Sequence, residues 1–400
     1  MQNGQEDMGR ALREAASKGD VAAMRACMRM HARMQLGHPS AAAMLSATDA
    51  RGWTALMLAA MGGYLEAMRT LLDHPAADAA SSMLTRRRRG CTAFMLAAGG
   101  GHVEATRMLL DHPAADMAAM LSAKDFCGWT TLMLCASGGH VESMRLMLDH
   151  PAADPGAMLS ATDISEPTAF LLCASGGRVE AMRMLLGHPA ADPAAMLLTT
   201  DDCKRNAFLL CASGGHVESM RLMLDYPAAD PAAMLLATDD CERNAFLLAA
   251  SRGCVEGMRM LLDHPAANVA AMLMSTDQLN RGALKLAAAE GREAAMRLLL
   301  DHPSSDPATM LAFESSAEYS ALVAAAESAH YCGRGDDGPP GRPFAPLLLL
   351  LRRVAAHPPQ PSNDQVAHMS RVMEELCRVP QDEFWEEEEE EERAGLFGDD

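Results

Sequence analysis

The stretch DFCGWTTLMLCASGGHVESMRLMLDHPAADPGAMLSAT (residues 125–162) decides the fold, because close variants of it recur along the chain. An anchor residue followed by an apolar, alanine-rich run returns every 38 residues, at Thr54, Thr92, Thr130, Thr168, Asn206, Asn244, Gly282 and Ser320. A histidine, or in one unit a tyrosine, that is followed by proline keeps the same spacing, at His74, His112, His150, His188, Tyr226, His264 and His302. Self-similarity at a period of roughly 20–50 residues is the signature of a stacked repeat array.

Each unit begins with a turn and a short helix. Asp125 opens the turn, and Gly128 supplies a permissive backbone. Thr130 can cap the exposed N–H groups of a helix whose buried stripe contains Leu132, Leu134, Cys135 and Ala136. Gly138–Gly139 ends this helix, because glycine is the usual residue just past a helix C-terminus.

A second helix and a long connection complete the unit. Val141, Met144, Met147 and Leu148 recur on one helical face, and His150–Pro151 stops the helix because the residue before proline leaves the α region. In the connection, Asp precedes Pro at 154–155, 192–193, 230–231 and 306–307, which is typical of an N-cap followed by proline at the first helical position. We therefore expect a short extra helical turn in each connection.

This pattern resembles the ankyrin repeat, through T-T-L-M-L-C-A at 130–136, S-G-G-H-V-E at 137–142 and R-L-M-L at 145–148, and the likeness covers about residues 9–357. The histidine of the family tetrapeptide is replaced, so its usual hydrogen bonds are absent; the replacements are Met57, Met95, Met133, Leu171, Leu209, Leu247, Lys285 and Val323. The period is 38 residues, against about 33 in the family. The additional residues fall in the connection, where we expect the family's projecting β-hairpin to be altered or lost.

The predicted architecture is an all-α, ankyrin-like helix-turn-helix repeat solenoid of about nine units. We assign residues 1–48 to an N-terminal capping repeat, 49–313 to seven regular repeats, 314–380 to a degenerate C-terminal repeat with a capping helix, and 381–400 to a disordered acidic tail. The tail contains seven consecutive glutamates, Glu386–Glu392. Such a run repels itself and cannot bury enough apolar surface to fold.

Composition restricts the class of protein. With 49% hydrophobic and 22% charged residues the chain is globular, and few aromatics with abundant alanine favour closely stacked helices over a β-sandwich. The 33 methionines are interpreted as core residues, with a Met-rich binding surface as the alternative. A net charge of −19 argues against general nucleic-acid binding, because phosphate affinity depends on lysine and arginine density.

The sequence also predicts a compartment. The eleven cysteines include no CxxC pair, which is typical of a reducing compartment. The first residues lack the apolar segment of a secretory signal, and the longest leucine run, Leu347–Leu351, is far shorter than the roughly 20 residues that span a bilayer. We expect a cytoplasmic or nuclear monomer that does not enter membranes.

No catalytic constellation, cofactor motif or metal site is recognised, so we expect a non-enzyme without cofactor or metal. The histidines at the helix ends, and Cys127, Cys203 and Cys241 in the turns, lie one repeat apart, too far for shared ligation at about 2 Å. We interpret the helix-end histidines as caps for the free C-terminal carbonyls. The histidines of the GGH loop, His102, His140 and His216, are interpreted as structural.

The turns vary most between units, and read DARGW, RRRGC, DFCGW, DISEP, DDCKR, DDCER and DQLNR. Variable loops on a rigid scaffold are where partner specificity lies; neutral drift at exposed positions is the alternative. Glycine at the fourth turn position (52, 90 and 128) gives way to Glu166, Lys204, Glu242 and Asn280. We expect a different backbone geometry in these later turns.

The predicted function is a protein–protein interaction scaffold or adaptor whose protein partner binds the turn tips and first helices. The candidate anchors are aromatic and basic residues, the types enriched at binding hot spots: Trp53, Arg86, Arg87, Arg88, Arg89, Phe126 and Trp129. The arginine run could instead be a solvated loop or a nuclear-import signal. The alternative function is a substrate-recognition subunit of a larger enzyme assembly such as a ubiquitin ligase, although no F-box, RING or SOCS-box segment is recognisable.

Removal of residues 381–400 tests the tail assignment. Because a self-repelling glutamate run contributes no core, a chain truncated after Pro380 should melt within a few degrees of the full chain, as followed by circular dichroism. A large drop in melting temperature would mean that the tail packs on the folded repeats.

Overall fold

The structure, a computed structural model, describes residues 2–33, 41–87 and 89–304. The chain divides into two compact units, Met1–Asp240 and Cys241–Asp400, and each is described by itself. The degenerate repeat and capping helix predicted for 314–380, and the acidic tail at 381–400, lie outside the described residues, as does Arg88.

The described residues of the first unit form eighteen helices, in repeated sets of a first helix, a second helix and a short connector helix. In chain order they are α1 Gln2–Ser17, α2 Val21–Arg33, α3 Ala41–Ser46, α4 Ala55–Met61, α5 Leu65–Leu72, α6 Ala79–Leu84, α7 Ala93–Gly99, α8 Val103–Leu110, α9 Met117–Ser122, α10 Thr131–Gly138, α11 Val141–Leu148, α12 Pro155–Ser160, α13 Ala169–Ser175, α14 Val179–Leu186, α15 Pro193–Leu198, α16 Ala207–Gly214, α17 Val217–Leu224 and α18 Pro231–Leu236.

The described part of the second unit continues the same order with five helices. They are α19 Ala245–Arg252, α20 Val255–Asp263, α21 Val269–Leu273, α22 Ala283–Ala289 and α23 Glu293–Asp301.

Equivalent helices of neighbouring repeats stack on one another. In the first unit, each first helix packs on the next along the series α1, α4, α7, α10, α13 and α16, and the second helices follow in parallel along α2, α5, α8, α11, α14 and α17. In the second unit, α19 packs on α22 and α20 on α23. The predicted all-α helix-turn-helix repeat fold is confirmed within the described ranges.

The anchor residue begins each first helix as predicted. Its side-chain oxygen accepts a hydrogen bond from the backbone N–H three residues on, as in Thr92 to Met95 (3.3 Å) and Asn206 to Leu209 (2.9 Å). Gly282 has no side-chain oxygen and begins α22 without this cap. Losing such a cap typically costs about 1 kcal/mol, so the anchors contribute to stability as well as to helix position.

The position at which the ankyrin-repeat tetrapeptide carries histidine is a core position in this chain. Met57, Met95, Met133, Leu171 and Leu209 are all completely buried in the first unit. The preceding position adds the fully buried rings of Phe94, Phe170 and Phe208. Methionine adapts to irregular gaps, and its predicted role as a core residue is confirmed for these positions.

The five additional residues of each repeat form the connector helix. In α12, the Asp154 Oδ1 atom accepts from the Ala157 N–H at 3.0 Å, Pro155 takes the first helical position, and Met158 and Leu159 are buried. The expected extra helical turn is therefore confirmed. The hairpin is altered rather than replaced, since a compact turn remains, bracketed by the isolated bridge Lys124–Thr130.

The expectation that the later turns have a different backbone geometry is wrong. The fourth turn position is left-handed throughout: φ is 80° at Gly52 and 85° at Gly128, and it is 66° at Glu166 and 59° at Lys204. The same closing hydrogen bonds impose this geometry, as between the Lys204 N–H and the Asp201 carbonyl at 3.0 Å. A side chain at positive φ is tolerated here because the surrounding turn determines the backbone.

A matched pair of substitutions tests this constraint. An ideal Cβ atom at Gly128 would lie 3.0 Å from the Asp163 Cα atom, so Gly128→Ala adds both crowding and left-handed strain and should destabilise by about 1–2 kcal/mol. Lys204→Gly removes strain but frees the unfolded chain, so its effect should stay within about 1 kcal/mol of zero. Urea unfolding measures both variants. Equal losses would show that turn backbone strain does not limit stability.

Candidate functional site: the tip row

Most turns are closed by the aspartate that opens them. In the turn at 125–129, the Asp125 Oδ1 atom accepts from the N–H groups of Cys127 and Trp129, both at 2.9 Å, and the Asp125 N–H donates to the Trp129 carbonyl. The second and third turn residues, such as Phe126 and Cys127, take no part through their side chains. Their side chains can therefore vary without opening the turn.

Hydrogen bonds join the turns into a row. The N–H of the second residue of one turn donates to the carbonyl of the third residue of the turn before: Phe126 to Arg89 (3.1 Å), Ile164 to Cys127 (3.2 Å), Asp202 to Ser165 (3.3 Å) and Asp240 to Cys203 (3.0 Å). We call these second and third turn residues of the first unit the tip row. Because these four bonds each fix a turn to its neighbour, the side chains of the tip row from Arg89 to Asp240 are held at set spacings.

The arginine run lies in the turn that lacks an opening aspartate. The Arg87 guanidinium lies over the Trp53 ring, 4.9 Å from its centroid, and donates to the Cys91 Sγ atom at 3.2 Å. Arg86 is exposed and donates to the Lys124 carbonyl at 2.5 Å, and Arg89 is exposed. The described arginines of the predicted basic anchor therefore differ. Arg87 packs on the preceding turn, whereas Arg86 and Arg89 lie at the surface.

The aromatic candidates differ in exposure. Trp53 and Trp129 are half-buried, each with its backbone N–H bound by the carboxylate that opens its turn. Phe126 is 68% exposed. Phe126 therefore offers the most accessible aromatic surface, while the two tryptophans combine packing with partial exposure.

The sequence reasoning missed Ile164, which is 77% exposed in the tip row. Ile164 takes the same turn position as Phe126 one period later, and the hydrogen-bonded row places the two in successive turns. Aligning the turns places Ile164 at the position of Phe126, but the predicted anchors include only aromatic residues and arginines.

One cluster at the tips has the composition of a metal site. Ligand atoms of Asp201, Asp202 and Cys203 lie within 4.8 Å of one another. However, Asp201 Oδ1 already accepts from the N–H groups of Cys203 and Arg205, and its Oδ2 atom binds the Arg205 guanidinium twice at 2.8 Å. The Asp201 carboxylate is thus used to close and brace the turn. A hydrogen bond to Asp202 raises the pKa of the Cys203 thiol, which disfavours the thiolate that zinc needs.

A family model described as ankyrin repeats (3 copies) matches residues 12–120 and, overlapping, 77–158. This match places three ankyrin repeats within residues 12–158. Among curated proteins, none matches the chain at a significant level. Ankyrin repeats are in general protein–protein interaction modules. Among the described residues, no helix is both long and apolar enough to cross a membrane.

In the histidines that follow the second helices, the ring Nδ1 atom does not bind a helix carbonyl as we expected. The His150 Nδ1 atom instead accepts from the Ala152 N–H at 3.2 Å, and His74, His112, His188, His264 and His302 repeat this bond. The following proline turns the chain, and this brings the second N–H beyond the histidine back onto the ring. The histidine ring therefore stabilises the start of the connection that follows the second helix, not the end of the helix itself.

The histidines of the glycine loop connect one repeat to the next. The His102 Nε2 atom lies 2.8 Å from the Met61 carbonyl oxygen, and the His216 Nε2 atom lies 3.0 Å from that of Ser175. Arg178 takes the same position and donates to the Ser137 carbonyl at 3.2 Å. The structural interpretation of this position is confirmed for His102 and His216.

The cysteines of the first helices lie inside the stack of first helices. Cys135, Cys173 and Cys211 are completely buried, and the Cys211 Sγ atom contacts the Ala174 carbonyl at 3.3 Å. Burial raises the pKa of Cys173 to about 12 and also raises the pKa of Cys135 and Cys211. These thiols stay protonated near neutral pH, which confirms their interpretation as small buried hydrophobes and makes them poor nucleophiles.

Thiol alkylation tests this burial. In the native protein at pH 8, iodoacetamide should modify exposed Cys127 at least about a hundredfold faster than Cys173, because Cys173 is buried and its raised pKa keeps its thiol protonated. Mass spectrometry of digests over time measures each rate. The raised pKa of these buried thiols also makes the free energy of unfolding depend on pH. Their contribution is constant below the ordinary cysteine pKa, and the free energy of unfolding falls as the pH rises toward 12. Equal native rates at the two cysteines would contradict the buried placement.

Proposed function

We propose that this protein is a non-catalytic interaction scaffold or adaptor that binds a protein partner through its tip row and first helices. The observation that carries the proposal is the tip row itself: a hydrogen-bonded ladder of turns that displays unlike, exposed side chains on nearly identical repeats. A surface of this kind can bind along its length, whereas catalysis needs unlike groups converging on one point.

The first helices add apolar surface beside the turns. Leu58, Leu96, Leu134 and Leu172 occupy equivalent positions in successive first helices, and each is only half-buried. This recurrence leaves a row of leucine edges in a part of the repeat whose other apolar residues are buried. We therefore place the partner across the turns and the leucine row together.

The proposed anchors are Trp53, Phe126, Trp129 and the arginines of residues 86–89, joined by Ile164. Phe126 and Ile164 support the proposal through their exposure, and Arg86 and Arg89 through exposed charge. We further propose that the protein acts as a monomer in the cytoplasm, with the arginine run giving nuclear import as the alternative.

Site-specific photo-crosslinking tests the proposal. A benzoylphenylalanine at position 126 in the full chain should capture a discrete partner from cell extract. The same group at position 198, where Leu198 is 68% exposed on a connector helix, is the matched control and should not. Capture at both positions alike, or at neither, would contradict the tip row as a binding surface. Recurrent ligase subunits among the captured proteins would favour the ligase alternative.

Substitution of the two tryptophans then measures their contribution to the affinity for the partner. The double variant Trp53→Ala with Trp129→Ala should weaken binding of the captured partner at least about tenfold, because truncated hot spots typically cost about 2 kcal/mol or more. Helicity should be unchanged, with Leu198→Ala and Leu236→Ala as the exposed control pair. Retained binding with a large loss of thermal stability would identify the tryptophans as packing residues.

A further inference from the structure

The tip row has a fixed order of chemical character along the first unit. Its second turn positions run from Phe126 and Ile164, both strongly exposed, to Asp202 and Asp240, both exposed and acidic. Before Phe126, the charged residues that the structure shows exposed in and beside the turns are basic. Basic, apolar and acidic segments therefore follow one another along successive turns.

The basic segment consists of exposed side chains from three successive turns. Arg51 and Arg89 occupy third turn positions, while Arg86 and Lys124 each precede a turn, and all four are exposed. Arg86 donates to the Lys124 carbonyl, and Lys124 donates to the Thr162 carbonyl at 3.2 Å, so these long side chains lie across neighbouring turns. Four positive charges in adjacent turns make this end of the row attractive to carboxylates.

The acidic segment is smaller. The Asp201 carboxylate is buried and bound to Arg205 within its own turn, so it adds no free surface charge. Asp202 and Asp240 remain exposed, and Lys204 offsets part of their charge. Selectivity is therefore expected mainly from the basic and apolar segments, with the acidic end contributing less.

We propose that the tip row binds an extended segment of another protein, with acidic side chains on the Arg51–Arg86–Arg89 end, apolar side chains on Phe126 and Ile164, and a basic residue near Asp202. This inference rests on the proposed interaction function and names the chemistry of the partner. Each turn presents only one or two side chains, so the row is narrow and suits a single extended chain.

The repeat spacing sets the register of that segment. Neighbouring helices pack roughly 8–10 Å apart, and an extended chain advances about 3.3 Å per residue. One repeat therefore corresponds to about three residues of the partner. Its acidic group, first apolar residue and second apolar residue should recur about every third position.

A second copy of this chain is a weaker occupant. An antiparallel copy would also match basic to acidic and apolar to apolar, but only two apolar side chains of the tip row, Phe126 and Ile164, would meet their counterparts. Stable dimers bury about 800 Å² on each partner with an apolar centre. A row one turn tip wide with two apolar residues favours a heterologous segment.

Defined peptides test the proposal with the full chain. The probes are a labelled twelve-residue peptide with the pattern EExxFxxLxxKK, where x is Gly, Ser or Thr, its reversed sequence, and a scramble of the same composition. By fluorescence anisotropy, one orientation should bind at least about tenfold more tightly than the scramble, and added salt should weaken it because exposed charges are screened.

Charge reversal supplies the specific readout. Arg86→Glu with Arg89→Glu should abolish the preference for that peptide and create one for the version with KK in place of EE. Arg25→Glu with Arg29→Glu, which changes the same charge at exposed positions of α2, is the matched control and should change neither affinity. Phe126→Ser with Ile164→Ser should weaken binding at least about tenfold, and Leu198→Ser with Leu236→Ser should not.

Three outcomes would overturn the partner chemistry: no preference over the scramble, equal effects of the matched control variants, or a dimer in sedimentation that the Phe126 and Ile164 substitutions dissociate. These failures are separate from failure of the proposed function. A partner crosslinked at position 126 without any peptide preference overturns only the chemistry of the segment, whereas absence of any crosslink overturns both.

Discussion

Burial between neighbouring repeats is the constraint on which the rest of the structure depends. A pair of helices of seven or eight residues cannot cover its own apolar face, so each must fit the repeat on either side. Met95 and Phe94, completely buried in a seven-residue helix, show how little of that helix is free to change. The helices are therefore nearly uniform, and variation is confined to the turns.

The turns are variable in side chain yet uniform in backbone, and the cross-turn hydrogen bonds explain both. Each tip from Phe126 to Asp240 donates to the tip before it, so a turn between them with another geometry would lose bonds on two sides. Glu166 and Lys204 accordingly adopt the left-handed backbone that glycine supplies elsewhere. Where Lys204 adds strain, the ion pair between Asp201 and Arg205 adds a compensating contact in the same turn.

Features that depend on adjacent residues could be predicted from the sequence, and those that depend on the neighbouring repeat could not. The Thr130 cap and the connector helix after Asp154 follow from local chemistry and were found. The stacking of Arg87 on Trp53 is set by the neighbouring repeat. The left-handed backbone at Glu166 follows from the bond of its N–H to the Asp163 carbonyl in the same turn, which the replacement of glycine concealed in the sequence. The exposure of Ile164 could have been predicted, because Ile164 occupies the same turn position as Phe126.

This division has a consequence for recognition. The carboxylate of Asp125 and the backbone close its turn without help from the Phe126 side chain, so changing the tip leaves the closing bonds intact. The proposed binding and the closure of the turn therefore depend on different atoms of the same five residues. Arg87 is the exception, because its guanidinium contacts Trp53 and Cys91 while lying next to Arg86 of the basic segment. Changes at Arg87 should therefore affect stability and binding together, whereas changes at Arg89 or Phe126 should affect binding alone.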